Sequence, residues 1–136
     1  MVKQIWLNLP VKDVAKSKAF FSAIGFTFNQ QNETSTMACM FVGDNNFVVM
    51  LFEENQLQGY IQNKITDTRE SSEMMISLDA QSKQEVDDFA QTVRDAGGLV
   101  FAEPAESQGW LYGCAFADLD GHRWNILYMD NDKKPK

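Results

Sequence analysis

Apolar and polar residues alternate near the start of the chain. Ile5, Leu7 and Leu9 fall on one side of an extended segment, and Gln4, Trp6 and Asn8 on the other. A period of two marks a strand with one buried face, here predicted over 3–9, with Pro10 ending it. Asp13 is placed to cap a helix running to about Ala23, whose buried stripe is Val14, Phe20, Phe21 and Ile24; Gly25 stops it. Strands are predicted over 26–31, 36–42 and 46–53, the last two joined by the turn Gly43-Asp44-Asn45-Asn46. Residues 54–71 are polar and weakly periodic, a connection with a short helix around 56–62. The order then repeats. A strand is predicted over 72–79, a helix over 84–96 with Val86, Phe89, Ala90 and Val93 inward, and Gly97-Gly98 as its cap. Strands follow at 99–103, 110–117 and 122–129. Alternation places Ile5, Leu7, Val49, Leu51, Met74, Ile76, Trp124 and Ile126 against the helices.

The repeat is visible in the letters. Ala38-Cys39-Met40-Phe41 stands 75 positions before Gly113-Cys114-Ala115-Phe116. At the same spacing the turn at Gly43 answers Asp118-Leu119-Asp120-Gly121, and Phe47 to Phe52 answers His122 to Leu127. The helix ends Ile24-Gly25 and Ala96-Gly97 correspond 72 positions apart. One strand–helix–three-strand unit used twice is the signature of a duplication. The fold class is therefore α+β: one domain over 1–136 built of two tandem βαβββ modules, 1–55 and 72–130.

Composition narrows the function. At 136 residues the chain suits one compact domain. No apolar run approaches the roughly 20 residues of a membrane helix, and the start, Met1-Val2-Lys3-Gln4-Ile5-Trp6, lacks the apolar core of a secretion signal, so a cytoplasmic protein without a membrane partner is expected. The net charge is −7. Lysines are scattered except in the tail Lys133-Lys134-Pro135-Lys136, which reads as a frayed terminus, so nucleic acid is not an expected partner. Cys39 and Cys114 form neither a disulfide framework nor a metal knuckle.

Leu9-Pro10-Val11-Lys12-Asp13, followed by Ser17-Lys18-Ala19-Phe20-Phe21 and Ile24-Gly25-Phe26, resembles the opening of the glyoxalase/bleomycin-resistance/dioxygenase (vicinal-oxygen-chelate) proteins. Asp118-Leu119-Asp120-Gly121-His122 is similar to their Asp-Pro-Asp-Gly-Asn turn before the last strand, with Leu119 in place of proline. The resemblance implies modules rolled into a cup-shaped mixed sheet barrel around a cavity, and pairing into a homodimer. It also implies a metal position whose ligands come from the first and fourth strand of each module. Carried onto this chain, those positions are Trp6, Met50, Glu73 and Asn125. Only Glu73 suits a hard divalent ion. An indole offers no lone pair, a thioether is soft, and an amide oxygen is neutral. With His122 the sole histidine, a two-histidine facial triad cannot form within one chain. No metal or cofactor is expected.

Other residues carry two readings each. Trp6 is either a stacking surface for a flat ligand or a core aromatic. Asn8 and Gln4 share its face and line either a wet cavity or a solvated edge. Glu73 and Arg123 point inward by alternation; they pair with each other or hold charge that a ligand reads. His122 is expected at the surface of a turn. Cys39 and Cys114 are expected at equivalent core positions of the third strands. Gly109, Trp110 and Tyr112 are placed to form an aromatic lip.

Three functions compete. The first is a metal-free module binding a small organic ligand through Trp6, Asn8, Met50, Glu73, Arg123 and Asn125, with no catalytic residue assigned. The second is a metal-dependent lyase or isomerase of glyoxalase type using Glu73. The third is a regulatory protein-interaction domain. Fold alone does not decide among them.

Overall fold

The computed structural model describes residues 1–135; Lys136, the end of the basic tail, lies outside the described residues. The chain divides into two compact units, Met1–Thr66 and Asp67–Lys136.

The first unit runs β1 (Leu7–Val11), α1 (Val14–Ala23), β2 (Thr27–Phe28), β3 (Met37–Val42), β4 (Phe47–Glu53) and α2 (Glu54–Ile61). Its sheet has the order β1-β4-β3-β2, with β1 parallel to β4 and the other pairs antiparallel. The second unit runs β5 (Met75–Ala80), α3 (Lys83–Asp95), β6 (Leu99–Ser107), β7 (Leu111–Ala117) and β8 (Arg123–Met129). Its order is β5-β8-β7-β6, again with one parallel pair. Each unit is a four-stranded mixed sheet with helices, the α+β class expected from the sequence.

Local chemistry explains the boundaries. Asp13 caps α1 by accepting the Lys16 N–H at 3.0 Å, and Gly25 leaves the helix at φ +105°. Ser82 caps α3 through the Glu85 N–H at 3.1 Å, while Glu85 reaches back to the Gln81 N–H at 2.9 Å, a close variant of a reciprocal capping pair. The second strand is far shorter than the expected 26–31. The Asn29 side chain accepts the Gln31 N–H at 3.1 Å and turns the chain into a 3₁₀ turn over Gln30–Asn32. Pro10 does not end β1 but lies inside it, opposite Phe52. An edge strand tolerates proline because one side of its backbone needs no ladder partner.

The helix-facing layer follows the predicted alternation where strands are paired. In the first unit Leu9, Val11, Val14, Phe20, Phe21, Val49 and Leu51 are buried. In the second, Val86, Ala90, Val93, Phe116, Trp124 and Ile126 are buried. Phe89 of α3 meets Phe116 at 5.6 Å between centroids, and Phe116 stacks on Trp124 at 6.1 Å. Trp124 therefore faces α3. Ile5 and Met74 depart from the pattern, with exposures of 76% and 47%. Pairing begins only at Leu7 and Met75, so neither residue lies on a paired strand.

The internal repeat carries a slip that the letters concealed. Met40 pairs with Val49, and Phe116 with Trp124. The fourth strands thus correspond at 75 positions but the third strands at 76. Between these equivalent pairs the first hairpin holds eight residues, 41–48, and the second seven, 117–123, so the second is one residue shorter. Because successive strand residues face opposite ways, Cys39 and Cys114 are not equivalent after all. Cys114 pairs with Ile126 on the α3 side, whereas Cys39 pairs with Met50 on the other. Ala115 takes the place of Cys39.

Candidate functional site

In the first unit, β1 and β4 bring Asn8 and Met50 together as register partners, with Cys39 beyond Met50. All three lie on the face turned away from α1. Trp6 precedes Asn8 by two residues, just outside β1, and is 52% exposed. By alternation it continues the same row.

In the second unit, Asn125 of β8 lies between Ser77 of β5 and Ala115 of β7, and Ala115 pairs in turn with Ala102 of β6. The side chains flanking Asn125 are small, and its Oδ1 is buried with no hydrogen-bond partner. A buried orphan acceptor costs about 1–3 kcal/mol, so this amide is a conspicuous polar group on the face opposite α3. Arg123, two residues earlier on that face, places its guanidinium 4.5 Å from the Phe101 ring centroid. Phe101 sits where the β6–β7 register shifts between Val100 and Ala102. Such a bulge re-aims a side chain, and small Ala117, between β6 and Arg123, leaves room for the stack.

Glu73 is not gathered into this row. It is exposed, lies two residues before β5, and makes no ion pair with Arg123 among the described residues. The strand register also makes Met75, not Glu73, the counterpart of Trp6, since Leu7 and Ile76 occupy equivalent places opposite Val49 and Trp124. Ser77, the counterpart of Asn8, was missed in the sequence. Only the strand pairing reveals it.

His122 is a correction. It is buried at 8% exposure, not a surface turn residue. The reason is Asp118, whose Oδ1 accepts the N–H groups of Asp120 and His122 at 3.0 Å each, while Oδ2 accepts the Trp124 indole N–H at 3.0 Å. Burial pushes the Asp118 carboxyl above its ordinary range; the His122 charge, the indole and the Asp120 N–H pull it back. Asp118 thus organises the turn inside the fold. Tyr112 is a second correction. Its hydroxyl donates to Asp87 Oδ1 of α3 at 2.6 Å, so it faces the helix and not the opposite face of the sheet; with Gly109 and Trp110 it lines a small pocket beside Lys83 and Glu106.

Both cysteines are free and buried, and burial raises both thiols above their ordinary pKa. A thiol held protonated is a poor nucleophile. Neither cysteine should react with a disulfide reagent in the native protein within minutes, and both should react in denaturant. A rapid native titration of either would show that its strand opens locally.

Among the described residues no three His, Cys, Asp or Glu side chains gather as a metal ion would need. Among the described residues no helix is long and apolar enough to cross a membrane.

Residues 3–43 match the family model described as bleomycin resistance protein-like N-terminal. No curated protein matches the chain in sequence. Among solved structures it is similar to the hypothetical protein SA1046 from S. aureus, with 39% identity, 94% of this chain and 95% of that one covered, and a TM-score of 0.85. It is also similar to a glyoxalase/bleomycin resistance protein/dioxygenase family enzyme from Burkholderia phytofirmans PsJN, at 14% identity, 91% and 96% coverage and a TM-score of 0.78. A third likeness is to the fosfomycin resistance protein FosX from Listeria monocytogenes, at 18% identity, 99% and 100% coverage and a TM-score of 0.71. The last two identities speak for the fold alone.

Proposed function

We propose that this chain, whose residues 3–43 match the bleomycin resistance protein-like N-terminal model and whose fold is shared with a glyoxalase/bleomycin resistance protein/dioxygenase family enzyme, is a member of that superfamily acting as a metal-free small-molecule-binding module. The ligand-bearing faces are those of Trp6, Asn8 and Met50 in the first module, 1–55, and of Arg123 and Asn125 in the second, 72–130, with Glu73 at the margin. The two modules act as one domain, in a cytoplasmic homodimer.

The observation that carries the proposal is the chemistry at Asn125. The fourth strand offers a neutral amide with an orphaned buried oxygen, set between a serine and an alanine. An amide in that setting takes a hydrogen bond from an organic N–H or O–H, or from water. A hard divalent ion instead gains most from several anionic oxygens or imidazoles. The four positions include one carboxylate, and the single histidine is buried in the Asp118 turn. These residues do not fit a resident metal.

Calorimetric titration with nickel or zinc tests the reading. The expected result is no micromolar binding, unchanged by Glu73→Ala. Trp6→His with Met50→Glu should introduce metal affinity. In a melting screen, an organic ligand at 100 times its dissociation constant adds about 2.7 kcal/mol, and Trp6→Ala should reduce that gain. Micromolar metal binding that disappears in Glu73→Ala would instead restore the metal-dependent lyase or isomerase. A tight protein partner with no ligand stabilisation would favour the interaction domain.

A further inference from the structure

Arg123 and Asn125 together say more about the ligand than either alone. The Arg123 guanidinium carbon lies over the Phe101 ring, 4.5 Å from its centroid. Among the described residues no carboxylate oxygen comes within 4.0 Å of it. An arginine over a ring face can still offer its N–H fork, which receives a carboxylate or phosphate with two parallel hydrogen bonds. Two residues along the same face, Asn125 holds an acceptor without a donor. A two-residue step along a strand is about 6.6 Å. Beside them stand Ser77, Ala115 and Ala117, all small, and Met75, the register partner of Arg123, whose flexible side chain is half-exposed.

Building on the binding role proposed above, we infer that the second unit selects a small organic anion carrying a hydrogen-bond donor roughly 6–7 Å from its anionic group. The anion sits on the Arg123 edge. The donor satisfies the Asn125 amide oxygen, which the broad two-fold χ2 well of asparagine allows to turn toward it. The Ser77 hydroxyl flanks the amide and serves as a further polar contact. The Phe101 ring supports the guanidinium from one side, so Phe101 is a positioning residue. The preference is for an anion despite the chain's net charge of −7, because charge more than a Debye length away, about 8 Å at physiological salt, is largely screened.

A flat probe with the required spacing is 4-hydroxybenzoate. Two controls each remove one feature: 4-methoxybenzoate lacks the donor and 4-hydroxybenzamide lacks the anion. With isotopically labelled wild-type protein, 4-hydroxybenzoate should produce saturable shifts in the Asn125 side-chain amide and the Arg123 Nε signal. Each control should bind about tenfold more weakly or worse, the value of one charge-assisted or buried hydrogen bond. Arg123→Gln should remove the preference for the benzoate over the benzamide, by weakening the benzoate more than the benzamide. Arg123→Lys, which cannot make the planar double contact, should recover only part of it. Equal binding of all three probes, or no change at Arg123 and Asn125 at millimolar probe, would overturn the inference. A neutral compound that stabilises the protein and shifts Asn125 without touching Arg123 would also overturn it, while leaving the metal-free binding role intact. Failure of that role is read separately, in the metal titration.

Discussion

Asp118→Ala should destabilise the second unit by about 3–4 kcal/mol, read as a urea midpoint lowered by about 1.5–2 M. The estimate rests on what the carboxylate holds. Two backbone N–H groups and the Trp124 indole point at it from 3.0 Å, and Trp124 is fully buried. Alanine leaves those donors facing an apolar methyl. Each orphan buried donor costs about 1–3 kcal/mol. Part of the sum is returned, because the carboxylate is itself costly to bury, as its raised pKa shows. Asp118→Asn sharpens the argument. Its oxygen can still accept from Asp120 and His122, but its NH₂ then meets the indole N–H, donor against donor. A loss of about 2 kcal/mol is expected for the asparagine variant. An alanine variant as stable as the wild type would mean that water replaces the carboxylate in the turn.

Gly113→Val should be nearly as damaging, at about 3 kcal/mol, at the upper end of what overpacking costs. A Cβ at Gly113 would stand 2.5 Å from Leu127 Cδ2 and 2.6 Å from the Ile126 carbonyl oxygen. The leucine tip can rotate away. The carbonyl cannot, because β7 and β8 are paired through these residues. Valine's gain in strand propensity, at most about 1 kcal/mol, is too small to offset a shifted ladder. Gly113→Ala, with the same first clash and less bulk beyond it, should fall between wild type and valine. Urea unfolding followed by tryptophan fluorescence measures all three. Equal stability of valine and glycine would show that β7 and β8 slide apart at no cost.

Most of the fold was legible because its signals are local. The caps at Asp13 and Ser82, the glycines after α1 and α3, and the alternation of β4 and β8 depend on neighbours within a few residues. What escaped depended on pairing. The one-residue difference between the hairpins, eight residues from Met40 to Val49 against seven from Phe116 to Trp124, is invisible to a letter match, because Ala38-Cys39-Met40-Phe41 happens to resemble the wrong frame of β7. It exchanged the faces assigned to the cysteines. Tyr112 was misplaced for a related reason: an aromatic at a strand start does not reveal that an aspartate on a helix awaits its hydroxyl. Asn8 was reachable from strand periodicity, and Met50 and Asn125 from the family resemblance. Ser77 was not, because serine on an exposed edge strand carries no signal until its partner is known. The orphan oxygen of Asn125 is a property of packing and has no trace in the sequence.

The segment leading into β5 is also less free than its polar letters suggest. Thr68 donates its hydroxyl to the Asp120 carbonyl at 2.5 Å, and Arg69 donates to the Leu119 carbonyl at 3.2 Å. Gly121 lies so close beneath that a Cβ would stand 2.8 Å from the backbone of both residues. Residues 62–66, in contrast, are mostly exposed and outside regular structure. The connection is thus two segments with different tolerances: 62–66 is where an inserted tag, a reporter domain or a protease nick at Lys64 is accommodated, while 67–71 is a strap over the Asp118 turn that will refuse all three.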